Sequence, residues 1–113
     1  MTKKADSLFI KKQEDVYIIF MTPELQDEIG TVGFVEFADE DVLEAGEPIL
    51  NLEASKAVLE IASPLSGKIV ERNEKAEFKP ELLNSTNPEE NWLVKLTDVD
   101  EKVFEQLEDV TTK

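Results

Sequence analysis

One lysine stands apart by its setting. Lys56 lies in the stretch Asn51-Leu52-Glu53-Ala54-Ser55-Lys56-Ala57-Val58-Leu59-Glu60-Ile61. A short apolar run, Pro48 to Leu52, leads up to it, and a β-branched alternating run, Ala57 to Ala62, leads away. Two strand-like runs joined by a few small and polar residues read as a β-hairpin. The hairpin would hold the lysine amine at its exposed tip. The chain has no cysteine and no histidine. It therefore lacks a thiol for redox work and an imidazole for acid–base work. One presented amine with little other reactive chemistry suits an attachment point for a prosthetic group. The small neighbours Ala54, Ser55 and Ala57 leave room for another enzyme's active site to close around it. A lysine ammonium is not a nucleophile, so attachment calls for an external enzyme that removes the proton and supplies an activated acyl group. Acylation then removes the charge.

Composition narrows the rest. A chain of 113 residues is expected to form one domain, 1–113, large enough to bury a core without disulfides or metal. Hydrophobic residues make up 41%, an ordinary value for a folded protein, so the high charge does not imply disorder. The formal net charge of −14 argues against nucleic acid and against an anionic membrane surface. It favours solubility, a monomer, and partners with basic docking patches. No run approaches the roughly 20 apolar residues of a membrane span. The start, Met1 to Asp6, has basic residues without an apolar stretch after them, unlike a signal peptide. The absence of cysteine fits the cytoplasm.

The elements that must position Lys56 can be sketched along the chain. Asp15 to Phe20 reads as a buried strand. Thr22 to Gly30 reads as a short helix, with Thr22 as cap, Pro23 at the first helical position and Gly30 as terminator. Thr31 to Phe37 alternates as a strand, with Val32 and Phe34 on one face and Gly33, Val35 and Phe37 on the other. Ala38 to Asp41 is an acidic turn, and Ser63 to Gly67 is a turn rich in breakers. Lys68 to Glu71 and Trp92 to Leu96 are further strands. Between them, Phe78 to Asn84 reads as a helical turn opened by Pro80, and Asn87 to Asn91 as a polar loop. Asp100 caps an expected helix whose apolar face is Val103, Phe104, Leu107 and Val110, with Thr111 to Lys113 fraying. Many short strands about ten residues apart predict a mainly β fold, a sandwich or flattened barrel, with short helices and a C-terminal amphipathic helix.

Beyond these local readings, Glu53-Ala54-Ser55-Lys56-Ala57 followed by Ser63-Pro64-Leu65-Ser66-Gly67-Lys68-Ile69-Val70 resembles the lipoyl-attachment signature of glycine cleavage system H proteins. Further blocks are similar to that family: Gln26 to Phe37, Arg72-Asn73-Glu74, Pro80 to Asn84 and Asn91 to Leu96. Together they cover roughly residues 16–110. The resemblance implies a lipoyl domain-like flattened barrel and lipoic acid in amide linkage on Lys56. It places Glu53 where the attaching enzyme, a lipoate-protein ligase or lipoyl transferase, recognises the lysine. It implies a carrier rather than an enzyme. Biotin carriers flank the lysine with methionine, whereas Ser55 and Ala57 stand here. Lipoyl domains of 2-oxo acid dehydrogenases usually carry aspartate just before the lysine and lack the Asn-Trp-Leu block.

The sequence also departs from the H-protein pattern. Leu8-Phe9-Ile10-Lys11-Lys12 stands where the family usually has a block containing His-Glu-Trp, and the chain is short for the family. Both features resemble the H-like branch of lipoate-scavenging bacteria, whose members sit beside a lipoate ligase, a macrodomain protein and a sirtuin-type ADP-ribosyltransferase. That branch implies a carrier for lipoyl relay, reduced by dihydrolipoamide dehydrogenase, or a redox-linked ADP-ribosylation target. Asp27 and Glu28, in the expected turn before the central strand, are then the candidate acceptors. The alternative is a shuttle of the aminomethyl group between glycine decarboxylase and aminomethyltransferase.

Overall fold

The computed structural model describes residues 1–110 of the chain. The expected fraying of Thr111 to Lys113 lies outside the described residues. The fold is mainly β, in two antiparallel sheets. The larger sheet contains β1 (Thr2–Ala5), β2 (Leu8–Gln13), β3 (Val16–Met21), β5 (Val42–Leu43), β8 (Gly67–Arg72), β9 (Trp92–Thr97) and β10 (Glu108–Asp109). Its order is β10-β1-β2-β3-β9-β8-β5. The smaller sheet is β4 (Val32–Phe37), β6 (Pro48–Ala54) and β7 (Val58–Ala62), in that order. The molecule is flattened, with extents of 37 × 35 × 22 Å. Between the sheets lies a core that includes Ile10, Ile19, Leu50, Leu52, Leu93 and Leu96, all removed from water. No helix among the described residues is long and apolar enough to cross a membrane.

Helix α1 (Pro23–Ile29) forms as its caps dictate. The Thr22 hydroxyl accepts the Leu25 N–H at 3.1 Å, and Gly30 ends the helix at φ +77°. Asp27 and Glu28 therefore sit in the last helical turn, not in a turn that follows it. Residues 78–84 split into α2 (Lys75–Phe78) and a 3-10 turn, Pro80–Asn84. The polar stretch 87–91 closes into one helical turn, α3 (Pro88–Asn91), because the Asn87 side chain accepts the Glu89 N–H.

Three features depart from the local reading. The first 13 residues build two strands. Leu8 and Ile10 point into the core while Phe9 and Lys11 point outward, a period-2 pattern that the apolar Phe9 hides in the sequence. In β4 a register shift between Val32 and Phe34 breaks the simple alternation. Val32 thus shares the buried side with Val35 and Phe37, and Phe34 faces solvent. At the C-terminal end, α4 (Glu101–Glu105) is only five residues long. Phe104 is its buried anchor, packed edge-on against Tyr17 with ring centroids 5.0 Å apart, while Val103 is exposed. The chain then leaves the helix because the free edge of β1 offers it a ladder. Lys3 pairs with Asp109, and the Val110 N–H donates to the Thr2 carbonyl at 3.1 Å.

Candidate functional site

Strands β6 and β7 form the expected hairpin, with Leu52 opposite Leu59 and Glu53 opposite Val58. The Ala54 N–H donates to the Ala57 carbonyl at 2.8 Å, closing a tight loop with Ser55 and Lys56 at its tip. Lys56 is exposed and makes no ion pair among the described residues.

The tip is not a free arm. It is tied to the segment joining α1 and β4. The Lys56 N–H donates to the Ile29 carbonyl at 2.9 Å, and the Ser55 N–H donates to the Thr31 carbonyl at 2.8 Å. The Thr31 N–H returns a bond to Ser55 Oγ at 2.9 Å. Gly30 makes this approach possible. A β-carbon there would stand 2.3 Å from Ser55 Oγ and 3.2 Å from Lys56 Cγ. Its φ of +77° with ψ of −150° is also a conformation that side chains with a β-carbon avoid. Asn84 braces the same segment from below. Its Nδ2 donates to the Gly30 carbonyl, and its Oδ1 accepts the Val32 N–H, both at 2.8 Å.

The arrangement suits a covalently held group. Lys56 is exposed, the hairpin tip is pinned by one backbone hydrogen bond from Lys56 and two hydrogen bonds through Ser55, and the aliphatic stem runs over a glycine. A rigid base with a free side chain makes the lysine a pivot, so an attached group sweeps a defined volume.

Glu53 is exposed on the outer face of the small sheet, between Phe34 and Val58 in the pairing register. Asp27 and Glu28 are exposed on α1, immediately before the Ile29 carbonyl that receives the Lys56 N–H. Folding thus brings the end of α1, the hairpin tip and the Asn84 side chain into one cluster. Local sequence reading missed Ser55, Thr31 and Asn84 as parts of this mount, and took Gly30 only as a helix stop. The signal for Gly30 and Asn84 lay in the family-like blocks, which hold both residues without stating their contact.

Other parts of those blocks are structural ties. Arg72 donates to the carbonyls of Ala38 and Glu40 and pairs with Asp41. Buried Asn73 donates to the carbonyls of Glu90 and Trp92. Gly67 is buried at the start of β8, where a β-carbon would meet the Thr97 carbonyl at 2.9 Å.

The comparisons agree with this architecture. A glycine cleavage system H-like protein from Staphylococcus aureus is 54% identical over 104 residues, spanning 92% of this chain and 94% of that relative. A glycine cleavage system H protein from Listeria innocua is 37% identical over 94 residues, spanning 82% of this chain and 75% of that protein. The crystal structure of a glycine cleavage system H protein from Mycobacterium marinum superposes with a TM-score of 0.73 at 24% identity, covering 85% of this chain and 81% of that one, which supports the shared fold. The family model for the glycine cleavage H-protein matches residues 1–112, and the chain belongs to that family.

Proposed function

We propose that Lys56 carries lipoic acid in amide linkage and that the chain acts as a carrier, not as an enzyme. The observation that carries this reading is the exposed Lys56 amine on a backbone pinned to the α1–β4 connection. Bound lipoate would supply a disulfide–dithiol couple at the end of a long arm. A lipoate-protein ligase or lipoyl transferase performs the attachment. The deprotonated Nζ forms an amide bond to the lipoyl carbonyl, and the activating group, adenylate for an ATP-dependent ligase, leaves as its bond to that carbonyl breaks. The small side chains of Ala54, Ser55 and Ala57 let the attaching enzyme reach Nζ. Glu53 gives it a charge to read three residues before the lysine.

The H-like role in lipoyl relay is favoured by two observations. Similarity to the protein named H-like is higher and spans more of both chains than similarity to the protein named an H protein. The chain also lacks histidine. In this role a bound dithiolane would be reduced to the dithiol by dihydrolipoamide dehydrogenase, with NADH as the two-electron donor. Asp27 or Glu28, at the foot of the arm, would take ADP-ribose from NAD+ through a sirtuin-type transferase. A carboxylate oxygen bonds to the ribose carbon as nicotinamide leaves, and a macrodomain protein would reverse the ester by hydrolysis. The second reading is the glycine cleavage shuttle between glycine decarboxylase and aminomethyltransferase, favoured by the family itself.

Incubation with a lipoate ligase, ATP and lipoate, followed by peptide mass mapping, tests the carrier reading. The adduct is expected on Lys56, and an unmodified Lys56 peptide overturns it. Glycine-dependent bicarbonate exchange with the lipoylated protein then separates the two roles. Rates equal to those of an authentic H protein would favour the shuttle.

A further inference from the structure

We propose that Phe34 and Val58 form the apolar contact through which the enzyme that acylates Lys56 docks on this protein. The inference rests on the carrier reading above and adds the surface that the partner uses.

The two residues are far apart in sequence and lie in one line in the fold. Phe34 in β4 is paired with Glu53 in β6, and Glu53 is paired with Val58 in β7. Residues directly opposite one another project from the same face of a sheet. The neighbouring line, Val35 to Leu52 to Leu59, points inward and packs against the core. The line of Phe34, Glu53 and Val58 therefore points outward, and Phe34 is 46% and Val58 77% exposed. Alternation with buried Val35 and Phe37 turns the Phe34 ring to solvent, and the register shift beside Gly33 lets Val32 remain buried. Phe34 and Val58 lie on the face beside Lys56, so a partner that covers them there gains their burial free energy.

The surroundings specify that partner. Val58 is two residues from Lys56, about 7 Å along an extended chain. A protein that closes on the Lys56 amine must cover Val58 and Glu53 as well. The next outward line is Glu36, Asn51 and Glu60, so the apolar pair is bordered by carboxylates. Glu53 stands between the two apolar side chains, so the surface offers two apolar contacts about a central carboxylate, with Glu36 and Glu60 beside them. The complementary surface is apolar at two points and carries lysine or arginine between and beside them. A second copy of this chain is disfavoured, because a face-to-face contact would bring together two faces that both carry Glu36, Glu53 and Glu60 and no lysine or arginine among the paired outward residues. The net charge of −14 likewise disfavours an anionic membrane.

The test compares the full-length protein with Phe34→Ser, Val58→Ser and, as a control at another exposed aromatic, Phe78→Ser. Initial lipoylation rates are measured against carrier concentration with ligase, ATP and lipoate, and melting temperatures are recorded in parallel. Phe34→Ser is expected to raise the KM for the carrier about tenfold, the size of effect typical of an interface anchor, with kcat within about twofold. Val58→Ser should raise KM in the same direction while melting within about 2 °C of wild type, so a fold defect in Phe34→Ser would not hide the result. Phe78→Ser should leave both constants unchanged. If wild-type Lys56 is modified and neither Phe34→Ser nor Val58→Ser changes KM, the docking surface is refuted while the carrier reading stands. If wild-type Lys56 is not modified, both fall. A wild-type dimer in sedimentation that Phe34→Ser dissociates would assign the face to a second copy and also refute the proposal.

Discussion

Lys56 Cγ lies 3.2 Å, and Cδ 3.4 Å, from the point where a β-carbon on Gly30 would stand. The stem of Lys56 therefore runs across the bare backbone that ends α1. Main-chain hydrogen bonds on either side of this contact, from Lys56 to Ile29 and from Ser55 to Thr31, hold it in place. The amine is left free while the backbone beneath it is fixed.

Gly30→Ala should damage both stability and function. The new methyl group meets Ser55 Oγ at 2.3 Å in a backbone conformation suited to glycine. A loss of about 2–4 kcal/mol is expected, which lowers the melting temperature by roughly 10 °C or more. Lipoylation at Lys56 should slow at temperatures where the variant remains folded. A melt within 2 °C of wild type would show that the hairpin tip does not depend on this contact.

Lys56→Arg should abolish the lipoyl adduct and barely alter the fold. The side chain is exposed and the substitution keeps its charge, so the melting temperature should move by less than about 2 °C. Mass mapping of the peptide containing residues 51–61 checks the first point, and a thermal melt the second. An adduct at wild-type level elsewhere in the Lys56→Arg chain would remove Lys56 from its assigned role.

Gly67→Val should cost far more than Lys56→Arg, by about 2–3 kcal/mol. Backbone conformation is not the reason, because the glycines at positive φ among the described residues are Gly30 and Gly46. What matters at Gly67 is space. A β-carbon would lie 2.9 Å from the Thr97 carbonyl oxygen and 2.9 Å from Val99 Cγ2, and the carbonyl belongs to a paired strand that cannot shift cheaply. Denaturant unfolding of the two variants side by side decides the order.

Asn84→Ala should loosen the mount from below. It removes the bonds to the Gly30 carbonyl and from the Val32 N–H, for about 1–3 kcal/mol. The clearest readout is amide hydrogen exchange, in which Val32 should lose protection ahead of core amides such as Ile19. Unchanged exchange at Val32 would mean that another group satisfies it.

Lys3→Met should release the C-terminal strand. The buried Lys3 ammonium donates to the Glu105 carbonyl at 3.2 Å and pairs with Asp109 at 2.5 Å, joining the first strand to the last. Its removal leaves the Glu105 carbonyl without that donor, at a cost of about 1–3 kcal/mol. Faster exchange at the Val110 amide, with β2 and β3 amides unchanged, is the expected pattern. A uniform loss of protection would argue that Lys3 supports the whole sheet.

The sequence alone determined the parts that depend on near neighbours. An apolar run before Lys56 and an alternating run after it specified the hairpin, because a hairpin needs only two adjacent runs and a tight connection. Thr22, Pro23 and Gly30 bounded α1, because caps act within one turn. The order of the family-like blocks pointed to the H-protein fold. Tertiary structure decided what surrounds Lys56. Thr31 and Ser55 are 24 positions apart, and Gly30 and Asn84 are 54. No local pattern encodes that they meet. Alternation placed Phe34 opposite Val35 and Phe37, but the burial of Val32 on their side follows from a register shift against β6 that alternation within β4 could not foretell. The end of α4 was set by the free edge of β1, more than a hundred residues earlier in the chain, which offers hydrogen bonds that a longer helix could not use. Short-range steric and capping preferences are written in consecutive residues, whereas the mount of Lys56 exists only where distant backbone segments pack closely enough to exchange hydrogen bonds.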